Sequence, residues 1–306
     1  MKPVDFTLHR PDSLGAAVSL VAEYGEESKV LAGGQSLVPL LNFRLARPDH
    51  LIDLGRVTEL AQLRRTADAV VVGAMVRQAH AEHSYAVAQD VPLLAAALPN
   101  VAHPPIRSRG TVGGSLAHGD PAAELPAVAC ALDATFVVVG PDGTREVAAR
   151  DFFRSNLITD LAPDEILIKV VFAPAPPDTG ASFVEVSRRR GDFALVGAGA
   201  QITVADGVIG QARICLTGVS STPHRASEAE DILVGQPLTP AVLGQAADAT
   251  RAAISPSGDL HATADYRKDV SGVVLSRSVT EAHRRATSAA QRRSDQSGER
   301  RDLRAT

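Results

Sequence analysis

Two short glycine-rich stretches hold the residues best suited to grip a ligand. One is Ala32-Gly33-Gly34-Gln35-Ser36, running on to Leu37 and placed directly after the apolar pair Val30-Leu31. The other is Thr111-Val112-Gly113-Gly114-Ser115, preceded by Arg107 and Arg109 and followed by His118 and Asp120. A glycine pair lets the backbone take positive φ and lets a ligand approach the main chain with no Cβ in the way. Successive N–H groups in such a turn form a concave anion site, and a neighbouring serine hydroxyl adds a donor. Either stretch taken alone reads first as a tight turn. Together they suggest a ligand with a diphosphate held from both sides. Neither loop contains a lysine, so the holding groups would be main-chain N–H and hydroxyls, aided by Arg107 or Arg109.

Other chemistry is thin. There is no P-loop ending in Gly-Lys-Ser or Gly-Lys-Thr, which argues against a P-loop kinase or ATPase. The nearest approach to a dinucleotide fingerprint, Gly197-Ala198-Gly199-Ala200-Gln201-Ile202, lacks the third glycine and sits between strand candidates. His80 and His83 lack a third ligand at metal spacing, and no metal site is predicted. His118, a lone histidine in a polar loop, reads first as locally hydrogen-bonded, and Asp120 serves equally well as a turn residue. Phe193 reads first as core, and the run Arg188-Arg189-Arg190 as a charged strand end. Cys130 and Cys215 sit in apolar runs and read as small buried hydrophobes. Two cysteines cannot ligate an iron–sulfur cluster within this chain. No convincing catalytic base stands out, and no catalytic residue is predicted.

The elements that must position these loops can be read in order. Val4 to Leu8 is strand-like. Ser13 to Tyr24 carries apolar residues at helical spacing, with Asp12 or Ser13 as cap and Gly25 as stop. Lys29 to Ala32 is a buried strand entering the first loop, Ser36 would cap a helix over Leu37 to Leu45, and His50 to Leu54 is another strand. Beyond Val57 come a strand over Ala69 to Ala74, a helical region to Leu98, and Ala102 to Ile106, which delivers the chain extended into the second loop. Leu125 to Leu132 is an apolar helix with Glu124 at or beside its N-cap. Thr135 to Val139 and Glu165 to Phe172 are strands, with Pro141-Asp142-Gly143-Thr144 a hairpin turn.

Ala173 to Gly180 is the clearest linker. After it, strands over Ser182 to Arg188, Ala198 to Ala205 and Gln211 to Thr217, with helices at Ser227 to Leu233 and Pro240 to Ile254, predict a smaller α+β layer around a three-stranded antiparallel sheet. From Glu281 the chain is Arg-, Ser- and Gln-rich with almost no large apolar residue, and a disordered tail is predicted.

Length and charge fit this division. The 306 residues suffice for two domains, 45% are apolar and 22% charged. A net charge of −4 gives no reason to expect nucleic acid or an anionic membrane as the main partner. No apolar run reaches spanning length and the N-terminus lacks the apolar core of a signal peptide, so the expected location is cytoplasmic.

The paired loops resemble those of the FAD-binding medium subunits of the molybdenum hydroxylases, the family of xanthine dehydrogenase and aerobic carbon monoxide dehydrogenase. The similarity extends through Ile106 to Gly110, Gly119 to Pro126, Arg188 to Ala194 and His261 to Arg267, and covers Val4 to about Leu275. The resemblance implies an α+β chain: a two-part FAD-binding domain of the PCMH type over residues 1–175, with parts at about 1–56 and 57–175, then the family's C-terminal domain over 178–280. It also implies FAD-diphosphate contacts from Ala32 through Leu37 and Thr111 through Ser115, a cofactor contact at Glu124, where the family often has Asp, and a position near the flavin ring for Asp192 and Phe193. His118 and Asp120 would lie close by. Gln35 and Phe193 stand where His and Tyr are common, so an imidazole contact and a phenol hydroxyl are lost. The implied role is electron transfer from a small 2Fe-2S subunit, fed by a large molybdopterin subunit, to a quinone, NAD or oxygen, in a dimer of heterotrimers. At this point a self-sufficient FAD oxidase of related fold and a non-catalytic binding or assembly protein also stand.

Overall fold

The computed structural model describes the backbone of residues 2–305 and the side chains of residues 2–295. The first unit runs β1 (Thr7–His9), α1 (Leu14–Tyr24), β2 (Ser28–Leu31), α2 (Leu37–Asn42) and β3 (His50–Asp53). Its three strands are parallel in the order β1-β3-β2, each connection crossing over through a helix. α1 starts where Ser13 Oγ accepts the Ala16 N–H and stops at Gly25, whose φ of 45° an L side chain resists. Ala17 and Val21, one turn apart, close on Ile52 and Leu54 as the unit's core.

The second unit holds β4 (Leu63–Arg65) and β5 (Val70–Gly73), then the helices α3 (Gln78–Glu82), α4 (Tyr85–Asp90), α5 (Pro92–Ala97), α6 (Pro104–Arg107), α7 (Val112–His118) and α8 (Glu124–Ala131). It continues through β6 (Thr135–Gly140), β7 (Gly143–Ala148), α9 (Ala149–Phe152), β8 (Phe153–Ser155), β9 (Ile158–Thr159) and β10 (Ile166–Phe172). Five of these strands form an antiparallel sheet ordered β4-β5-β10-β6-β7. Its β-branched and aromatic residues, among them Val70, Val72, Phe136, Val138, Val170 and Phe172, pack with Leu93, Leu116 and Leu125 of the helices. Pro104 to Arg107 is a helical turn, where an extended approach to the second loop was expected. Proline restricts its predecessor, and His103 is indeed extended at φ −114° and ψ 157°, but a proline at the first helical position loses no bond and starts a helix well.

The third unit comprises β11 (Thr179–Val186), β12 (Val196–Ala205), β13 (Val208–Thr217), β14 (His224–Arg225), α10 (Ser227–Leu233), α11 (Pro240–Ala253) and α12 (Ala264–Ala305). The antiparallel sheet has the three expected strands and a two-residue fourth at the β13 edge. Val196 to Ile202 are all buried, covered on one face by α12 and on the other by α5 and α8 of the second unit. Gly197 and Gly199, the weak dinucleotide-fingerprint residues, lie inside β12, where Gly199 makes room for Phe183.

The tail departs from expectation. Residues 281–295 are helix, the continuation of α12, while residues 296–306 lie outside the described side chains. Val274, Leu275, Val279, Ala282 and Ala286 form one buried stripe. Ser278, also buried, donates its hydroxyl to Ser182 O at 2.9 Å. A Cβ at Gly180 would fall on the main chain of Ala282 and Ala286, so helix and strand approach almost backbone to backbone. Arg285 Nη1 donates to Ala181 O at 2.8 Å, and Arg293 pairs with Asp178. Small residues at close range supply the contact that a count of large apolar residues overlooks.

Candidate functional site

A cavity of about 900 Å³ runs between the three units. It is large for a ligand pocket and suits an extended molecule. Of the residues picked from sequence, Ala32 to Leu37, Thr111, Gly113, Gly114, Ser115, His118, Asp120, Glu124, Asp192 and Phe193 all line it. Val112 turns the other way into the core, 1% exposed.

The first loop leaves β2 and turns at Gly34, where φ is 73°. Gly33 abuts the second loop's approach: a Cβ there would stand closer than 3 Å to Arg109 O and Gly110 Cα. The main-chain N–H groups of residues 33–37 donate to no protein acceptor among the described residues, and Gln35 folds back to give its amide to Gly33 O at 3.0 Å. Ser36 occupies the N-cap position of α2 but its hydroxyl makes no cap bond, contrary to the expected helix cap.

The second loop is bonded throughout. Val112 N–H donates to Val76 O at 2.9 Å, Gly113 N–H to Ala74 O at 3.0 Å, Gly114 N–H to Thr111 Oγ1 at 2.9 Å and Ser115 N–H to Thr111 O at 3.2 Å. Thr111 thereby caps α7, and a Cβ at Gly113 would collide with Ala74. A Cβ at Gly114 would come 3.2 Å from Ala32 Cβ and 4.0 Å from Gly33 N, on the side where the two loops face each other.

Neither arginine does what the sequence suggested, for neither lines the cavity. Arg107 is buried and grips Glu82 with two bonds, Nε to Oε2 at 2.7 Å and Nη2 to Oε1 at 3.1 Å. Its remaining nitrogen donates to Val101 O and Ala102 O. A guanidinium desolvated this far needs such partners, so Arg107 is a strut of the α6 turn. Arg109 is exposed and contributes its carbonyl, which accepts from Arg77.

Sequence reasoning missed Lys29 on β2, which lines the cavity just before the first loop. Lys29 lies outside both glycine motifs, on the strand that feeds the first, where no motif marks it. Gln78 was missed too: it is buried against Gly110 with its Oε1 unpartnered. Leu157 and Ile158, large, exposed and far from both loops in sequence, join Phe193 around the opening.

The carboxylates are unequal. Asp120 Oδ1 accepts the Ala122 N–H at 2.8 Å, closing the turn before α8 while still lining the cavity. Glu124, 5% exposed at the first position of α8, is pushed up to about 7. Burial is the main cause and Asp120 adds to it; a backbone hydrogen bond and Arg107 oppose. Burial also lowers His118 below the ordinary histidine range, against the pull of Asp120, so its ring is neutral at neutral pH. Phe193, 60% exposed, and Asp192 stand after Gly191, whose missing side chain admits the His103 ring. His80 borders a separate small hollow.

The glycine-walled seam beside five open N–H donors, Lys29 and a long cavity fits a dinucleotide cofactor. That defines a nucleotide-cofactor-binding α+β protein. Residues 4–176 match the family model of the FAD binding domain in molybdopterin dehydrogenase, and residues 181–282 that of the CO dehydrogenase flavoprotein C-terminal domain. The chain belongs to this family, is an FAD-binding oxidoreductase subunit, and has FAD as its cofactor. It is 40% identical to the 6-hydroxypseudooxynicotine dehydrogenase complex subunit alpha of Paenarthrobacter nicotinovorans, over 94% of this chain and 97% of that one. Against the carbon monoxide dehydrogenase medium chain of Afipia carboxidovorans the identity is 37%, covering 94% and 99%. Carbon monoxide dehydrogenase of Hydrogenophaga pseudoflava superposes with a TM-score of 0.91 at 38% identity, covering 93% of this chain and 99% of that one. No helix among the described residues is long and apolar enough to cross a membrane.

Proposed function

We propose that this chain is the electron outlet of a molybdenum-containing hydroxylase. Electrons would arrive from a small 2Fe-2S partner subunit, supplied by a large molybdopterin-containing subunit, in a dimer of heterotrimers, and leave to an external acceptor. FAD, when bound, supplies the chemistry of accepting electrons singly and releasing a pair. The observation that carries the reading is the seam between the two glycine loops. There the open N–H groups of residues 33–37 and the hydroxyls of Ser36 and Ser115 suit a diphosphate, and Gly33 and Gly114 leave it room. Lys29 adds charge on that side. At the other end Asp192 and Phe193 would cover the ring system, with Leu157, Ile158 and Phe193 forming an apolar opening through which an electron partner could approach. The catalytic demands on the chain itself are binding, orientation and exclusion of water.

The test uses the assembled complex, with and without flavin. Its iron–sulfur centres are reduced with limiting dithionite and then mixed with benzoquinone while cluster absorption is followed. Flavin-loaded complex should reoxidise rapidly, and complex built with Gly114→Val, lacking flavin, should stay bleached. Equal reoxidation in both would place the exit elsewhere and sink the outlet role.

A further inference from the structure

Glu185 is the one carboxylate of β11 and is not among the residues that line the cavity. It is half-buried, and its Oε2 is fully buried with no hydrogen-bond partner. Strand register explains what it faces. Glu185 lies opposite Gly197 on β12, and Gly197 opposite Thr217 on β13, so the three share one face of the sheet. Gly197 leaves that row open in the middle: a Cβ there would be 3.3 Å from Glu185 Cβ and 2.8 Å from Thr217 Cγ2. Thr217 Oγ1 lies 2.6 Å from Pro121 O and 3.0 Å from Ala123 O, the carbonyls just before Glu124. The Gly218 N–H also donates to Pro121 O, at 2.8 Å. The face that Glu185 shares is therefore docked, through Thr217 at the end of β13, on the start of α8, where Glu124 forms part of the cavity wall.

We propose that Glu185 is a positioning residue whose buried carboxyl, set behind the cavity wall at Glu124, keeps at least one proton on the Glu124–Glu185 pair at neutral pH, so that the pair adds at most one negative charge beside the cofactor cavity. The proposal rests on the FAD reading of the cavity only for its consequence, not for the pair itself. Burial, and then the charge of Glu124, push Glu185 up to about 8, while Glu124 stands at about 7. The other charged groups acting on the pair through Glu124 are Asp120, which raises it, and Arg107, which lowers it. Gly197 and Thr217 on the neighbouring strands bring no charge. Two buried acids, one of which feels the other's charge, lose protons in two coupled steps that belong to the pair. The first step leaves one charge on the pair, and that charge then holds the second proton. A second negative charge beside a flavin would oppose the arrival of electrons, which gives the retained proton its use.

The experiment titrates the flavin-loaded chain from about pH 5 to about pH 10, a span bracketing both steps. It follows the infrared carbonyl band of protonated carboxyls and, in parallel, the visible flavin spectrum and FAD content. Wild type should show a buried-acid band at neutral pH that disappears in two steps. Glu185→Gln, equal in shape, should keep its FAD and lose the upper step, together with the upper step in the flavin spectrum. Glu124→Gln should shift the remaining step to lower pH, because the charge that held the Glu185 proton is gone. A wild-type band already absent at neutral pH overturns the proposal, as does a Glu185 step unmoved by Glu124→Gln. Protein that lacks flavin yet shows the two coupled steps would overturn the cofactor reading and uphold the pair.

Discussion

In the first glycine loop, the N–H groups of residues 33–37 have no protein acceptor among the described residues; in the second, those of residues 112–115 all have one. The two loops share a Gly-Gly pair and a serine, and in the fold they face each other across Gly33 and Gly114. Yet the first is an open turn off a parallel strand, free to donate. The second is the capped beginning of a short helix, fastened to Ala74 and Val76, and what it offers is clearance and a hydroxyl. A glycine pair thus has two separate uses: to bend the chain toward a ligand, and to let rigid backbone stand close to one. Sequence similarity between the loops does not tell the uses apart.

The sharpest way to break this contrast is at Gly113. A valine side chain there would run into the main chain of Ala74, which cannot swing aside as a side chain can. Gly113→Val should cost at least the upper end of the roughly 1–3 kcal/mol typical of overpacking, with most protein lost to misfolding. A melting temperature equal to wild type would mean the second loop is not anchored to that strand end. Gly114→Val comes next. Its Cβ would press on Thr111 Oγ1, a side-chain atom, and then on Ala32 across the seam. Folding should survive with a smaller loss of melting temperature while FAD is lost from the purified protein; full yellow colour in this variant would refute the seam as the diphosphate site.

Thr111→Ala should have the smallest effect and sharpens the comparison most. It removes the cap from α7 and should cost about 1 kcal/mol of stability, seen as a few degrees in thermal melts. FAD content should be unchanged, since the Gly114 N–H was pointed at the cap and not offered to the ligand. Loss of flavin with the fold intact would show that the second loop is a donor loop after all.

Much of the architecture could be read along the chain because the signals are local. Ser13, the apolar spacing from Leu14 to Val21 and Gly25 define α1 within a residue at either end. The β-branched run Thr135 to Val139 and the Asp142-Gly143 turn give the β6–β7 hairpin. The family motifs carried the cavity-lining positions in the same way, Val112 excepted. The long helix α12 escaped because its buried stripe is built of alanine and serine as well as valine and leucine. Its stability comes from closeness to β11 at Gly180, a property of two segments about a hundred residues apart. The role of Arg107 escaped for a similar reason: two arginines before a glycine loop look like anion ligands until Glu82 is seen beside one of them.

By itself the sequence determined which residues could bend, cap or clear a path, because φ preference, capping and side-chain bulk belong to each residue and its near neighbours. Whether an N–H is free, whether a cation is already paired and whether a carboxyl holds its proton were decided only by the tertiary structure. Those properties depend on what the fold brings within a few ångströms and on how much water it leaves there. Residues 33–37 are open because no strand pairs with them, and Arg107 is closed because α3 delivers Glu82 to it. Glu124 and Glu185 rise into the neutral range because two units of one chain close over them and take their water away.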